Sequence, residues 1–294
     1  YGTNGFYLPF KQDYTVEGFS TVVYKGAGAV RYVGGTGFQP DLVWIKSRDH
    51  TYGHHLTDAV RGAGKDLYTD ITDDEYSNAN SLQSFESDGF TLGTDNGPNN
   101  SSKRYVAWTW DMGGSNANNT TGSIDSVVRA NATYGQSIVK WTGNGTTGHG
   151  LSSAPEMIIV KPIDVTGAWW TWHKDLSNTS QGYLQLNTTA AEATNSSLWD
   201  NASPVTSTTI NANTAYINYA TDNYIAYCFH SVTGYSKIGS YTGSGSSGKV
   251  VTTGFAPAFV LVKNTGAAEN WAIVDNTRSP TNPATKALFP NSAE

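Results

Sequence analysis

Gly37-Phe38-Gln39-Pro40-Asp41-Leu42-Val43-Trp44-Ile45-Lys46 is the stretch on which the reading of this chain turns. A proline opens it, an unbroken run of branched and aromatic residues follows, and a lysine ends it. Proline lacks an N–H and has a fixed φ, so it belongs in the turn before a strand rather than inside one. Val43, Trp44 and Ile45 favour extended backbone, because branched and ring side chains pack well on a pleated surface. Apolar residues in succession, rather than in alternation, imply a strand buried on both faces. Lys46 would lay its aliphatic stem along that surface and carry its ammonium back to water.

The stretch returns twice. Residues 150–161 read Gly-Leu-Ser-Ser-Ala-Pro-Glu-Met-Ile-Ile-Val-Lys, and residues 254–263 read Gly-Phe-Ala-Pro-Ala-Phe-Val-Leu-Val-Lys. Pro40, Pro155 and Pro257 align, as do Lys46, Lys161 and Lys263. An upstream block recurs with it: Val22-Val23-Tyr24-Lys25-Gly26, then 138–143 (Ile-Val-Lys-Trp-Thr-Gly), then 238–243 (Ile-Gly-Ser-Tyr-Thr-Gly). A closing block occurs twice, at 103–110 (Lys-Arg-Tyr-Val-Ala-Trp-Thr-Trp) and 222–229 (Asp-Asn-Tyr-Ile-Ala-Tyr-Cys-Phe). Its alanine allows an opposing sheet to approach closely. A third closing block would fall past Glu294, so the last copy is expected to be incomplete and the 294 residues to be part of a longer chain.

A period of roughly 100 residues is that of autonomous domains rather than solenoid rungs. The expected fold is therefore all-β: tandem β-sandwich (jelly-roll-like) modules with the third copy incomplete. The expected divisions are a leader (1–17), repeat one (18–116), a linker (117–135), repeat two (136–234) and a partial repeat three (235–294). Turn signals such as Asp88-Gly89, Asn96-Gly97-Pro98 and Gly143-Asn144-Gly145 separate the strands. One short helix is expected over residues 73–85, where Tyr76, Ala79, Leu82 and Phe85 recur at helical spacing behind a capping-box-like Thr72-Asp73-Asp74-Glu75. A second brief helix is expected around Ile124 to Arg129.

Composition narrows the function. Charged residues make up 14% of the chain, against about 25% in typical soluble domains. Asn, Ser, Thr and 31 glycines carry the polarity instead, as on many secreted and virion proteins. The net charge is −6 without a cluster of four basic residues, which speaks against nucleic acid as a partner. No apolar run approaches the ~18–20 residues of a membrane-spanning helix. Cys228 is the only cysteine, so no internal disulfide can form, and its apolar neighbours imply a buried small hydrophobe.

The blocks resemble a repeat module of tail-fibre-like and other virion structural proteins of tailed bacteriophages, especially those infecting marine cyanobacteria. Residues 37–46, 87–93 (Ser-Asp-Gly-Phe-Thr-Leu-Gly) and 234–243 carry the resemblance, and Thr3-Asn4-Gly5-Phe6-Tyr7-Leu8 is similar to a segment that precedes such modules. It extends over nearly the whole chain. The resemblance implies a place in the virion and brings no catalytic residue with it.

His54-His55, near Asp49 and Asp58, stands where the other copies carry mainly aromatic and apolar residues, which argues against a metal or a general base. Asp58 with Arg61, and Asp275 with Arg278, share a three-residue spacing that could hold an anion. A local ion pair or Asx-type turn ending the strand is the plainer reading. Copy two offers Asp175 with no matching arginine. Asp70, Asp73, Asp74 and Glu75 lack the spacing of a calcium loop and read as a solvated helix start. No motif pairs two carboxylates, such as Glu86 or Asp88, across a groove as a glycosidase requires. Residues 143–148 lack the Gly-Lys ending of a phosphate loop. Trp169, Trp170 and Trp172 could stack on sugars, although most rings at strand spacing fill a core.

The expectation is thus no catalytic, cofactor or metal residue, with ligand-binding residues unassigned. The chain reads as a virion structural protein, a tail-fibre segment involved in host adhesion, located on the extracellular particle. A glycan-binding or glycan-degrading tailspike and a capsid-surface or filament protein are the alternatives. Partners would be further copies of itself (a trimer if it is a fibre), other virion proteins and a host surface glycan.

Overall fold

In a computed structural model the chain is described over residues 18–200, 202–213 and 215–294. The expected leader, with its Thr3 to Leu8 segment, lies outside the described residues. The first module runs β1 (Phe19–Lys25), β2 (Arg31–Gly34), β3 (Leu42–Ser47), β4 (His55–Asp58), β5 (Lys65–Tyr68), β6 (Tyr76–Ser77), β7 (Leu82–Glu86), β8 (Gly89–Leu92), the single turn α1 (Asn96–Asn99) and β9 (Arg104–Trp110). Six strands form one antiparallel sheet in the order β1-β9-β3-β4-β5-β6, and β2-β8-β7 form the facing layer. Tyr24, Val43, Ile45, Tyr105 and Ala107 from the large sheet meet Phe90 and Leu92 from the small one. Both faces of β3 are buried, as its continuous apolar run requires.

The second module repeats this plan. Its strands are β10 (Ala117–Asn119), β11 (Ser126–Asn131), β12 (Gln136–Thr142), β13 (Thr146–Gly148), β14 (Met157–Pro162), β15 (Trp170–His173), β16 (Gly182–Gln185), β17 (Ala193–Thr194), β18 (Thr209–Asn211) and β19 (Asn223–Phe229). The sheet order β12-β19-β14-β15-β16-β17 matches β1-β9-β3-β4-β5-β6 strand for strand. Register matches as well: Trp110 faces both Phe19 and Leu42, and Phe229 faces both Gln136 and Met157. Residues 117–131, read from composition as linker, instead add β10 and β11 to the outer edge of β12. The third module contributes β20 (Phe259–Val262) and β21 (Ala272–Asp275), a single antiparallel pair equivalent to β3 and β4. Pro40, Pro155 and Pro257 each stand two residues before β3, β14 and β20.

Two helical expectations fail. Residues 73–85 hold β6 and the start of β7, because long-range pairing outweighs a weak local pattern. The helix-like spacing of Leu82 and Phe85 has a specific cause. A bulge between Leu82 and Ser84 inserts one residue, which brings two side chains three apart onto the same core face. Around Ile124 to Arg129 the chain bridges Thr147 and then enters β11. Among the described residues no helix is long and apolar enough to cross a membrane.

Candidate functional site at the module junctions

The residue just before each β4-type strand is His54, Trp169 or Trp271. Trp169 donates its indole N–H to the Tyr68 carbonyl of the first module at 2.9 Å. Trp271 donates to the Gln185 carbonyl of the second module at 3.0 Å. Tyr68 and Gln185 are the last residues of the equivalent strands β5 and β16. His54 completes the series, its ring turned toward the backbone of Phe289 in the third module. Neither ring nitrogen of His54 meets hydrogen-bond geometry, so this third contact is the weakest.

The three repeat lysines follow the same order. Lys161 Nζ reaches the Thr72 carbonyl of the first module at 3.3 Å and that of Pro162 at 2.7 Å. Lys263 Nζ reaches Thr189 of the second module at 3.1 Å. Lys46 Nζ reaches Ala293 of the third at 2.8 Å and His50 at 3.1 Å. Thr72, Thr189 and Ala293 each stand five residues after an equivalent leucine (Leu67, Leu184, Leu288) paired to a β4-type strand. The expectation that these ammonium heads return to water is overturned for Lys46 and Lys161, both fully buried. Carbonyl oxygens of the neighbouring module take the place of water, and burial pushes both groups down to about 8.

A third set of contacts uses the Asp and Arg pairs. Asp58 Oδ1 accepts the N–H groups of Val60 and Arg61, an Asx-type turn, while Oδ2 pairs with the Arg61 guanidinium at 2.5 Å. The Tyr227 hydroxyl of the second module donates to that same Oδ2 at 2.8 Å. Asp275 and Arg278 repeat the pair at 2.5 Å, and Trp108 of the first module donates to Asp275 Oδ2 at 3.0 Å. Trp108 and Tyr227 are both fifth residues of their strands. Arg278 also lies over the Trp108 ring, 5.4 Å from its centroid. In the second module His173 and Leu176 occupy the places of Asp58 and Arg61, and the Asp175 N–H donates to the His173 ring.

Module two thus grips module one, three grips two, and one grips three. Like surfaces meet unlike surfaces at every junction, the heterologous arrangement that makes a ring when its rotation closes. Here it closes within one chain.

The remaining candidates lie at separate places in the fold. His55 Nδ1 lies 3.5 Å from Asp66 Oδ2, and Asp66 also accepts from Thr57 at 2.7 Å. This histidine has no room for a substrate: a methyl on Gly97 would stand 2.3 Å from its Nε2. Asp49 pairs instead with Arg104 at the surface, 2.9 Å away. Asp70 caps the His54 N–H at 2.8 Å. With no helix there, Asp73, Asp74 and Glu75 line a cavity of about 240 Å³ with Tyr68 and Tyr76. Glu75 in that group pairs with Arg61 and Lys65. Asp88 accepts the N–H groups of Gly35 and Gly37, and Glu86 accepts from Ser84 and Thr91. Burial pushes the Cys228 thiol up to about 12, which leaves it inert. Trp169, Trp170 and Trp172 are all buried. No three metal-ligating side chains come together among the described residues.

A second cavity, about 350 Å³, lies between the first and third modules and is lined by Arg48, Arg104, Arg278, Lys286, Ala287 and Leu288. At the matching junction Glu75 answers Arg61. Among the described residues no carboxylate does so for Arg278 beyond its own Asp275.

The junction contacts escaped sequence reasoning because their partners lie between 74 and 247 residues away. The signal was present in the phase of the repeat: a ring before each β4-type strand and a lysine four residues after the first residue of each β3-type strand. Over residues 15–294 the chain matches the family described as Domain of unknown function (DUF7483), and it belongs to that family. No curated protein and no solved structure matches it.

Proposed function

We propose that the chain is a structural segment of a bacteriophage virion, a tail-fibre segment that presents surfaces for host adhesion. One observation carries the structural half of this reading. The side chains that a catalytic reading would need, Asp58, Arg61, Asp275, Arg278, Lys46 and Lys161, are engaged in joining one module to the next. A catalytic acid or base must instead face a space where a reacting atom can sit. The ring also supports the reading mechanically. Three junctions, two of them holding a buried Asp–Arg pair, resist bending better than beads on a flexible string, as a projecting appendage requires. The virion assignment is supported by the resemblance of residues 37–46, 87–93 and 234–243 to phage repeat modules. In this reading the outer faces of the ring meet further copies of the chain, other virion proteins and a host glycan.

Gold-labelled antibody raised against the recombinant chain tests the assignment on purified particles. Label at the tail fibres is expected. Label confined to the capsid shell would favour the capsid-surface alternative, and unlabelled particles would overturn the virion assignment. Mass photometry of the chain reports self-association, for which a clean monomer at micromolar concentration would count against the oligomer.

A further inference from the structure

The third module exposes what its two siblings cover. In the first module β3 lies between β9 and β4, and in the second β14 lies between β19 and β15. Among the described residues, their equivalent β20 pairs with β21 alone. Burial falls accordingly: all six residues of β3 are buried, whereas all four of β20 are half-exposed. The Arg48 N–H bonds the Arg104 carbonyl at 2.7 Å, which sets the phase of the β3 to β9 ladder. By that phase Leu42 and Trp44 turn their backbone groups to β9, so Phe259 and Leu261 turn theirs to an unpaired edge. A free apolar edge is a template for another strand.

A second observation, elsewhere in the module, points to the same absentee. Residues 237–243 carry the β1 motif yet form no strand, and Tyr241, the counterpart of Tyr24, is 52% exposed. Val250 and Val251, in the place of β2, are 79% and 49% exposed. Among the described residues, β1 of the first module pairs only with β9, and β2 only with β8. Among the described residues, the open edge of β20 and the unpaired stretches in the places of β1 and β2 are what β8 and β9 would pair.

We propose that this open edge is a docking site for an extended segment of the repeat's own closing kind, a β8-like strand followed by a β9-like strand. Its closing strand would run antiparallel to β20, in the register that sets Trp110 opposite Leu42 and Phe229 opposite Met157. Small Ala107 and Ala226 mark the fourth position, where the facing layer packs close. The fifth position, Trp108 or Tyr227 elsewhere, would cross to the preceding module and meet His173 rather than an aspartate.

A synthetic fragment with the sequence of residues 81–111, added to the full 294-residue chain, is the probe. Hydrogen exchange followed by mass spectrometry reads residues 237–252 and 259–263 separately. The expected result is a 1:1 complex in which exchange slows about tenfold or more in both stretches. A fragment carrying Ala107→Glu, which places a charge against the facing layer, should not protect them. Unchanged exchange at millimolar fragment, or equal protection by the Ala107→Glu fragment, would overturn the proposal. So would a dimer whose β20 amides are already protected without fragment, since that assigns the edge to a second copy.

Discussion

Tyr227 donates its hydroxyl to Asp58 across the junction of the first two modules, 2.8 Å away, on an oxygen that Arg61 already holds. Trp108 approaches Asp275 in the same way where the third module meets the first. The two aromatic side chains differ in ring and donor, but both sit fifth in the closing strand and both find a carboxylate on a β4-type strand. A bond to a charged acceptor in a buried setting contributes about 2 kcal/mol. Tyr227→Phe keeps the ring and deletes the donor, so it should cost about that much in urea unfolding. A double-mutant cycle with Asp58→Asn should return a coupling of similar size. Additive effects would mean that the junction is held by packing alone.

Asp58 and Asp49 separate a buried ion pair from an exposed one within a single module. The Arg61 side chain is fully buried, whereas the Arg104 side chain is 63% exposed. Asp58→Ala should therefore cost roughly 3–5 kcal/mol, because it leaves a buried guanidinium with Glu75 and the Leu56 carbonyl as its acceptors. Asp49→Ala should cost less than about 1 kcal/mol. Comparable losses from the two substitutions would contradict the burial-based account.

Much of the fold was legible in the sequence, and the reason is local. Proline at 40, 155 and 257 followed by an unbroken apolar run is a signal that needs no distant partner, and it located β3, β14 and β20. The failures at residues 73–85 and 124–129 came from pairing across the chain, since a bulge can imitate helical spacing over a few residues. The sites were legible only in part. That Cys228 and the tryptophans of residues 169–172 are buried followed from neighbouring residues. The destination of Lys46 did not, because the carbonyl that replaces water belongs to Ala293, 247 residues along the chain.

Alkaline conditions should stabilise the protein. Lys46 and Lys161 titrate near 8 when folded, against about 10.4 when unfolded. Between those values the unfolded chain binds more protons, so stability rises as pH climbs from about 8 to about 10. Each group shifted by about two units is worth up to ~3 kcal/mol across that window. Above about 10 the trend reverses, because burial holds the hydroxyls of Tyr105 and Tyr224 up to about 12 and the unfolded chain then loses protons first. On the acid side, His149 is pushed down to about 4 by burial. Its Nδ1 accepts the Leu151 N–H, which fixes a neutral ring. Stability should therefore fall as pH drops from about 6.5 toward 4. Thermal melts between pH 5 and 11 check both limbs, and Lys161→Met should flatten the upper one. A stability maximum at neutral pH, with decline by pH 9.5, would contradict carbonyl-caged ammonium groups.

Gly89 tests whether the Ser-Asp-Gly turn is constrained by backbone angle or by space. It has a φ of +147°, and a Cβ there would stand 2.1 Å from the Val33 carbonyl oxygen, in the strand that β8 pairs with. Gly62 also has positive φ, +100°, but an added Cβ would meet nothing within 4 Å. Gly62→Ala thus isolates the conformational penalty, about 1–2 kcal/mol. Gly89→Ala adds a clash with backbone that cannot rotate away, so β2 and β8 must part and the layer holding Phe90 and Leu92 must open. A total loss of at least about 3 kcal/mol is expected, comparable to deleting a large core side chain. Because the junction contacts lie on the other face of the large sheet, exchange protection should drop at β2, β7 and β8 before it drops at β4. Equal cost for the two alanines, or protection lost uniformly across the ring, would show that the small layer is not the separable part of the sandwich that its packing implies.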